Sequence, residues 1–143
     1  MFENIVVSLD GSAYSEQALS AAAELAMLSK AKLHLLTVVL AYKQAHVPVV
    51  PRLDQQTEAR AEDYLRPLAS AARERGVEVA TYVRHGAPAE EIVRLATETK
   101  AGLITMSTHG IGATGLHALG SVAMKVLETS PCPVLMIRIR VRD

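Results

Sequence analysis

The sequence predicts an α/β domain, an open parallel sheet of five strands with helices on both faces. Three observations carry this. Short apolar, β-branched runs alternate with stretches of helical periodicity through the whole chain. The count is strand, helix, strand, helix, strand, helix, strand, helix, strand, and that alternation specifies right-handed crossovers. The chain has 143 residues, half of them hydrophobic, which suits one core and therefore one domain over 1–143.

Asn4 to Leu9 (NIVVSL) is a β-branched run ended by Asp10-Gly11-Ser12, a turn and helix-start signal. Ser12 is the N-cap of a helix in which Ala18, Leu19, Ala22, Leu25, Ala26 and Leu28 recur at helical spacing, ending near Lys30. Lys32 to Leu40 (KLHLLTVVL) is almost wholly apolar, as a central strand covered on both faces must be. A loop follows from Ala41 to Pro51, long enough to be a flap over a site. Leu53, Thr57, Ala61, Tyr64, Leu65, Leu68 and Ala72 then outline a long helix. Pro67 lacks a donor and clashes with the turn before it, so a kink or break is expected there.

Gly76 closes that helix, and Val77 to Val83 alternates as a half-exposed edge strand does. Pro88, Glu90 and Glu91 mark the start of a third helix, with Ile92, Leu95 and Ala96 on its buried face. Leu103 to Met106 is a short buried strand. Val122, Ala123, Val126 and Leu127 outline the last helix, and Val134 to Val141 the last strand, with Ile137, Ile139 and Val141 opposing Arg138 and Arg140.

Composition narrows the function. Fifteen basic and fifteen acidic residues cancel, so the field that nucleic-acid binding depends on is missing and no nucleic-acid partner is expected. The apolar runs fall well short of the ~20 residues of a membrane-spanning helix, and no signal-peptide pattern opens the chain. No membrane partner and a cytoplasmic location are the expectation. The single cysteine, Cys132, lies between Pro131 and Pro133 and reads as a core thiol. His34, His46, His85 and His117 lack metal-ligand spacing, so no protein-held metal is expected.

In an open parallel sheet the ligand site lies beyond the carboxyl ends of the strands. The first strand delivers Asp10, which reads equally as a ligand-holding carboxylate and as a turn or cap residue. The fourth delivers Ser107-Thr108-His109-Gly110, after which Gly112, Gly115 and Gly120 precede Ser121 and the last helix. Glycines allow backbone N–H groups to approach an anion, and a helix N-terminus adds its dipole, so this junction suits phosphate. Gly110 to Gly115 spells G-x-G-x-x-G, but in the last unit of the fold and with arginines on the next strand, which is the wrong context for a dinucleotide site. No lysine follows the glycines, so the usual phosphate loop of fast phosphoryl transfer is missing. His109 could meet a ligand as a general base, yet no acid or nucleophile stands beside it; no catalytic residue is assigned.

These segments resemble the universal stress proteins: VVSLDGSAYSEQAL near the start, GAPAEEIVRLA at the third helix, and LITMSTHG through GSVAMKVLETSPCPVLMIR at the end. ATP-binding members carry G-2x-G-9x-G-[ST]. Gly110, nine residues, Gly120 and Ser121 fit its second half, and Ser107 stands at its first glycine, bringing a side chain toward the phosphates. Ile111 occupies a position where relatives often have a basic residue. The resemblance implies a strand order of 3-2-1-4-5 and an adenine nucleotide, ATP, ADP or AMP, with Mg2+ arriving on its phosphates. By the same likeness Asp10 and the Val38 backbone hold base and ribose, Ser8 and Leu9 line the adenine slot beside Met106, and Ser107, His109, Gly110, Gly112, Gly120, Ser121 and Val122 surround the phosphates. It also implies a homodimer through the last strand, whose arginines would otherwise serve to keep a bare edge soluble. The expected function is nucleotide-dependent regulation under stress. Two alternatives are a slow ATPase using His109 and a dimer that binds no nucleotide.

Overall fold

A computed structural model describes residues 2–40, 51–110 and 119–138, with only the backbone of 51–56. The elements are β1 (Asn4–Ser8), α1 (Ala13–Ser29), β2 (Lys32–Leu40), α2 (Pro51–Glu74), β3 (Glu78–Gly86), α3 (Pro88–Glu98), β4 (Leu103–Ser107), α4 (Ser121–Thr129) and β5 (Val134–Ile137). All five strands are parallel, in the order β3-β2-β1-β4-β5, as expected. Val6 lies between His34 of β2 and Ile104 of β4, and Ile104 in turn faces Val134 of β5.

Strand alternation divides the core into two layers. Ile5, Val7, Leu33, Leu35 and Leu103 pack beneath α1 and α2 with Ala22, Ala26, Leu65 and Ala69. Val6, Leu36, Ile104 and Met106 pack beneath α3 and α4 with Ile92, Leu95, Ala123 and Val126. The buried alanines of α1 let that helix lie close on the sheet. Ser12 caps it by accepting from the Ser15 N–H at 3.2 Å, and Lys30 ends it in the left-handed conformation at φ 57°.

The structure corrects one expectation outright. α2 is continuous from Pro51 to Glu74 across Pro67, so of the kink or break expected there the break does not occur. Pro67 and Asp63, whose carbonyl loses its helical donor, both lie on the exposed face, where water serves the orphan oxygen. The buried stripe of Leu65, Ala69 and Ala72 holds the helix to the sheet on either side of it. The loop expected from Ala41 lies outside the described residues up to Pro51, which opens α2. β3 is an edge strand, as expected, though it runs three residues further, to Gly86. Arg73 donates to the Val79 carbonyl at 2.9 Å, a cation placed on the sheet edge where it discourages stray pairing. Of the last strand, Val134–Ile137 is described as strand and Arg138 lies just past it; 139–141 lie outside the described residues.

A polar network joins three strands to α3. His34 is 4% exposed; its Nε2–H donates to Asn4 Oδ1 and its Nδ1 accepts from the Tyr82 hydroxyl, each at 2.9 Å. Arg84 lies 5.8 Å from the Tyr82 ring and forks onto Glu98, while the buried Glu91 accepts from Arg94 at 2.7 Å. Burial first, and the Lys32 charge second, lower the His34 pKa from 6.5, against a smaller upward pull from Glu78. The fold therefore holds His34 neutral. Its contribution is complete above about pH 6.5 and is lost as pH falls toward the lowered folded value. The expected result is a melting temperature that declines from pH 7.5 to pH 5, and a His34→Gln variant with a shallower decline. Parallel curves for the two proteins would show that His34 is not the titrating group.

Candidate functional site

Four chain segments meet at the carboxyl ends of the central strands: Ser8–Asp10 after β1, the end of β2 at Val38, Ser107–Gly110 after β4, and the start of α4. β1 and β4 are neighbours in the sheet, and their following helices pack on opposite faces, so a crevice opens between them. Asp10 stands at its rim, exposed. Oδ1 accepts from the Ser12 N–H at 2.9 Å and from the Ser12 hydroxyl at 2.5 Å. The Asp10 N–H donates to Ser15 Oγ at 3.3 Å. The turn reading of Asp10 is met: one oxygen organises the turn into α1, and the other is turned toward the loop after β4.

That second oxygen explains Gly110. A Cβ at residue 110 would stand 2.2 Å from Asp10 Oδ2, so only glycine lets the two loops approach this closely. Gly120 is similarly placed. Its N–H donates to the Thr108 carbonyl at 2.9 Å, and a Cβ there would meet the same oxygen at 3.3 Å. Gly120 is the N-cap of α4 and offers no side-chain cap, so the first-turn N–H groups at Ser121 and Val122 have no capping side chain and stand at the positive end of the helix dipole.

Ser107 is buried and its hydroxyl donates to the His109 carbonyl at 2.5 Å. The side chain expected to approach the phosphates is instead turned into its own loop. His109 is buried too, 8% exposed, with Nδ1 2.9 Å from Thr108 Oγ1. The Thr108 N–H continues the sheet, donating to Ile137 at 3.1 Å. Leu9 and Met106 are core residues: Leu9 lies in the α1/α2 layer, its N–H donating to Leu36 at 2.8 Å, and Met106 lies in the α3/α4 layer. What they can offer a ligand is backbone. Ser8 and Val38 are half-buried at the ends of β1 and β2. Gly112 and Ile111 lie outside the described residues. Among the described residues no group of three or more His, Cys, Asp or Glu side chains could hold a metal, and no helix is long and apolar enough to cross a membrane.

Two contributors were not singled out from the sequence. Thr108 supplies the carbonyl that seats Gly120, and Ser12, read only as a cap, also pins Asp10. An Asp-Gly-Ser turn at a strand end is a signal that could have identified the second; the first depends on a contact across twelve residues of chain.

Comparison with known proteins places these features in context. The family model described as "Universal stress protein family" matches residues 1–138. The chain is 35% identical to the universal stress protein YxiE of Bacillus subtilis over 148 aligned residues, covering 96% of this chain and all of that one. Among solved structures, the universal stress protein UspA from Lactobacillus plantarum superposes with a TM-score of 0.85 at 27% identity, covering 96% of this chain and 98% of that one. A universal stress protein in complex with cAMP superposes at 0.74 with 27% identity, covering 95% and 97%.

Proposed function

The chain belongs to the universal stress protein family, and from that membership we propose that it binds an adenine nucleotide, ATP, ADP or AMP, in the crevice between β1 and β4 and acts as a regulatory dimer in the cytoplasm. The observation that carries the reading is the double close approach of backbone at Gly110 and Gly120, one beneath a carboxylate and the other at an uncapped helix start. Glycine at both positions lets the loop after β4 lie against Asp10 and the start of α4 lie against Thr108, and α4 supplies the dipole an anion favours. Asp10 accepts from ribose hydroxyls, Val38 meets the base through its backbone, and Gly110, Ser121 and Val122 present N–H groups to the phosphates, with Mg2+ carried by the phosphates themselves; Gly120, its N–H held by Thr108, seats the start of α4 beside them. Ser107 fits this cradle because its hydroxyl is engaged by His109.

The buried, hydrogen-bonded state of His109 favours binding over hydrolysis as the main activity, since a general base must reach its proton. The dimer uses the β5 edge, whose four apolar residues Val134–Ile137 remain half-exposed with no strand beyond them in the sheet among the described residues.

Thermal unfolding with ATP, ADP, AMP and cAMP in turn tests the reading. A ligand present at one hundred times its dissociation constant adds about 2.7 kcal/mol to stability by mass action, and the melting temperature rises accordingly. No shift with any of the four at millimolar concentration would leave a family member that acts without nucleotide.

A further inference from the structure

A groove of about 350 Å³ runs between α2 and the outer edge of β3, apart from the crevice at the strand ends. Glu62, Arg66, Ala69 and Arg73 line it from one face of α2, and Thr81 and Val83 line it from the strand. The strand side is a sheet edge, and register decides which backbone groups that edge exposes. The Leu9 N–H donates to the Leu36 carbonyl, so even-numbered residues of β2 turn their N–H and C=O groups to β1 and odd-numbered residues turn theirs to β3. Leu35 stands opposite Thr81, and the groups that answer it are those of Ala80 and Tyr82. Thr81 and Val83 therefore turn their N–H and C=O groups outward, along the groove. Arg73 bears the alternation out, since its guanidinium donates at 2.9 Å to the carbonyl of Val79, two residues before Thr81.

The ends of the groove differ in charge. Arg66 is held by Asp63 at 2.9 Å and has Glu62 a turn away, and beyond them Glu58 lies 3.7 Å from His85, so acids match or outnumber cations there. At the Val79 end Arg73 lies across the edge, while the neighbouring Glu78 is turned to Lys32 at 3.6 Å. A strand running the length of β3 would have to displace Arg73. A chain that stops at Thr81 would not, and its terminal carboxylate would meet the guanidinium.

From an edge open at Thr81 and Val83 and stopped at Val79 by a cation, we propose that this groove binds the carboxyl terminus of an extended peptide, added antiparallel to β3. The last residue of the peptide pairs with Thr81, and its carboxylate accepts from the Thr81 N–H and from Arg73. The third-last residue pairs with Val83. Paired residues share a face, so both side chains lie on the α2 side, over Ala69 and Val83, which suits small or apolar residues. Acidic side chains farther back meet Glu62 and are disfavoured. The partner is thus a protein tail with a free carboxylate, and an internal segment is excluded by Arg73.

The test probes the full chain with random hexapeptides immobilised through their amino termini, so that each carboxylate is free. Sequences that bind are resynthesised with a free carboxylate and with a terminal amide, and affinity is read by fluorescence polarisation. Amidation is expected to weaken binding by about 10-fold or more, the size of a charge-assisted hydrogen bond. Arg73→Gln should weaken the carboxylate peptides by a similar factor and leave the amides unchanged. In the free protein the Thr81 and Val83 amide protons should exchange rapidly with solvent, and bound peptide should protect them. Equal affinity for the two forms of a peptide overturns the proposal, and that comparison on wild type holds whatever Arg73→Gln does to stability. No hexapeptide retained above background overturns it, as does a Thr81 amide already protected in the free protein.

Discussion

Gly110→Ala is expected to abolish the nucleotide-dependent rise in melting temperature and to destabilise the ligand-free protein by about 1–3 kcal/mol, the usual range for a side chain forced into occupied space. The cause is steric, since Gly110 is not among the residues with positive φ. The new Cβ would lie 2.2 Å from Asp10 Oδ2. A longer side chain could swing aside; the Asp10 carboxylate is short and its other oxygen is held by the Ser12 N–H and hydroxyl. Relief of the clash must therefore break the turn into α1 or push the two loops apart, and either opens the crevice. Adding Asp10→Gly to Gly110→Ala should recover only part of the stability, because the Ser12 hydrogen bonds go with the obstruction, and should not recover binding, because the ribose contact goes too. Normal nucleotide affinity in Gly110→Ala would show that the ligand lies elsewhere.

The largest loss of stability is expected from Ile104→Ala, about 2–5 kcal/mol, a large part of the 5–15 kcal/mol typical of a domain this size. Ile104 is fully buried on β4, between Val6 and Val134, in the layer that seats α3 and α4. No neighbour can collapse into the space, because both adjacent strands are fixed by their ladders and Val126 and Ala123 are already buried against it. Denaturant unfolding measures the effect; a loss below 1 kcal/mol would mean that the layer repacks. The backbone that would hold phosphate begins beyond the end of β4, so saturating nucleotide should restore part of the lost melting temperature. The two variants thus separate support of the site from the site itself: one is rescued by ligand and the other is not.

Much of the fold is legible in the residues because apolar periodicity reports directly on burial. Leu33, Leu35 and Leu36 of β2 are fully buried on both faces, as an uninterrupted apolar run requires. Ile92, Leu95 and Ala96 of α3 are buried on the face their spacing marks. Pro67 shows the limit. Local chemistry argues for a break, and what decides against it is that the orphan carbonyl falls on the solvent side of a helix held by Leu65 and Ala69.

At the site the division is similar. Asp10, Gly110, Gly120 and Ser121 announce themselves by residue type and position at strand ends, since few residues other than glycine suit a close backbone approach and a carboxylate after an apolar strand is conspicuous. The role of Ser107 does not. Ser107 reads as a substitution that crowds the phosphates until its hydroxyl is seen to donate to His109.

What the sequence determined by itself was the order of the elements, the layers they bury and the strand ends where a ligand would meet glycine and carboxylate, because burial and backbone conformation are written residue by residue. Only the tertiary structure decided which way Ser107 turns and that Asp10 touches Gly110. Those are contacts between distant parts of the chain, and their geometry comes into being when the sheet brings β1, β2 and β4 side by side.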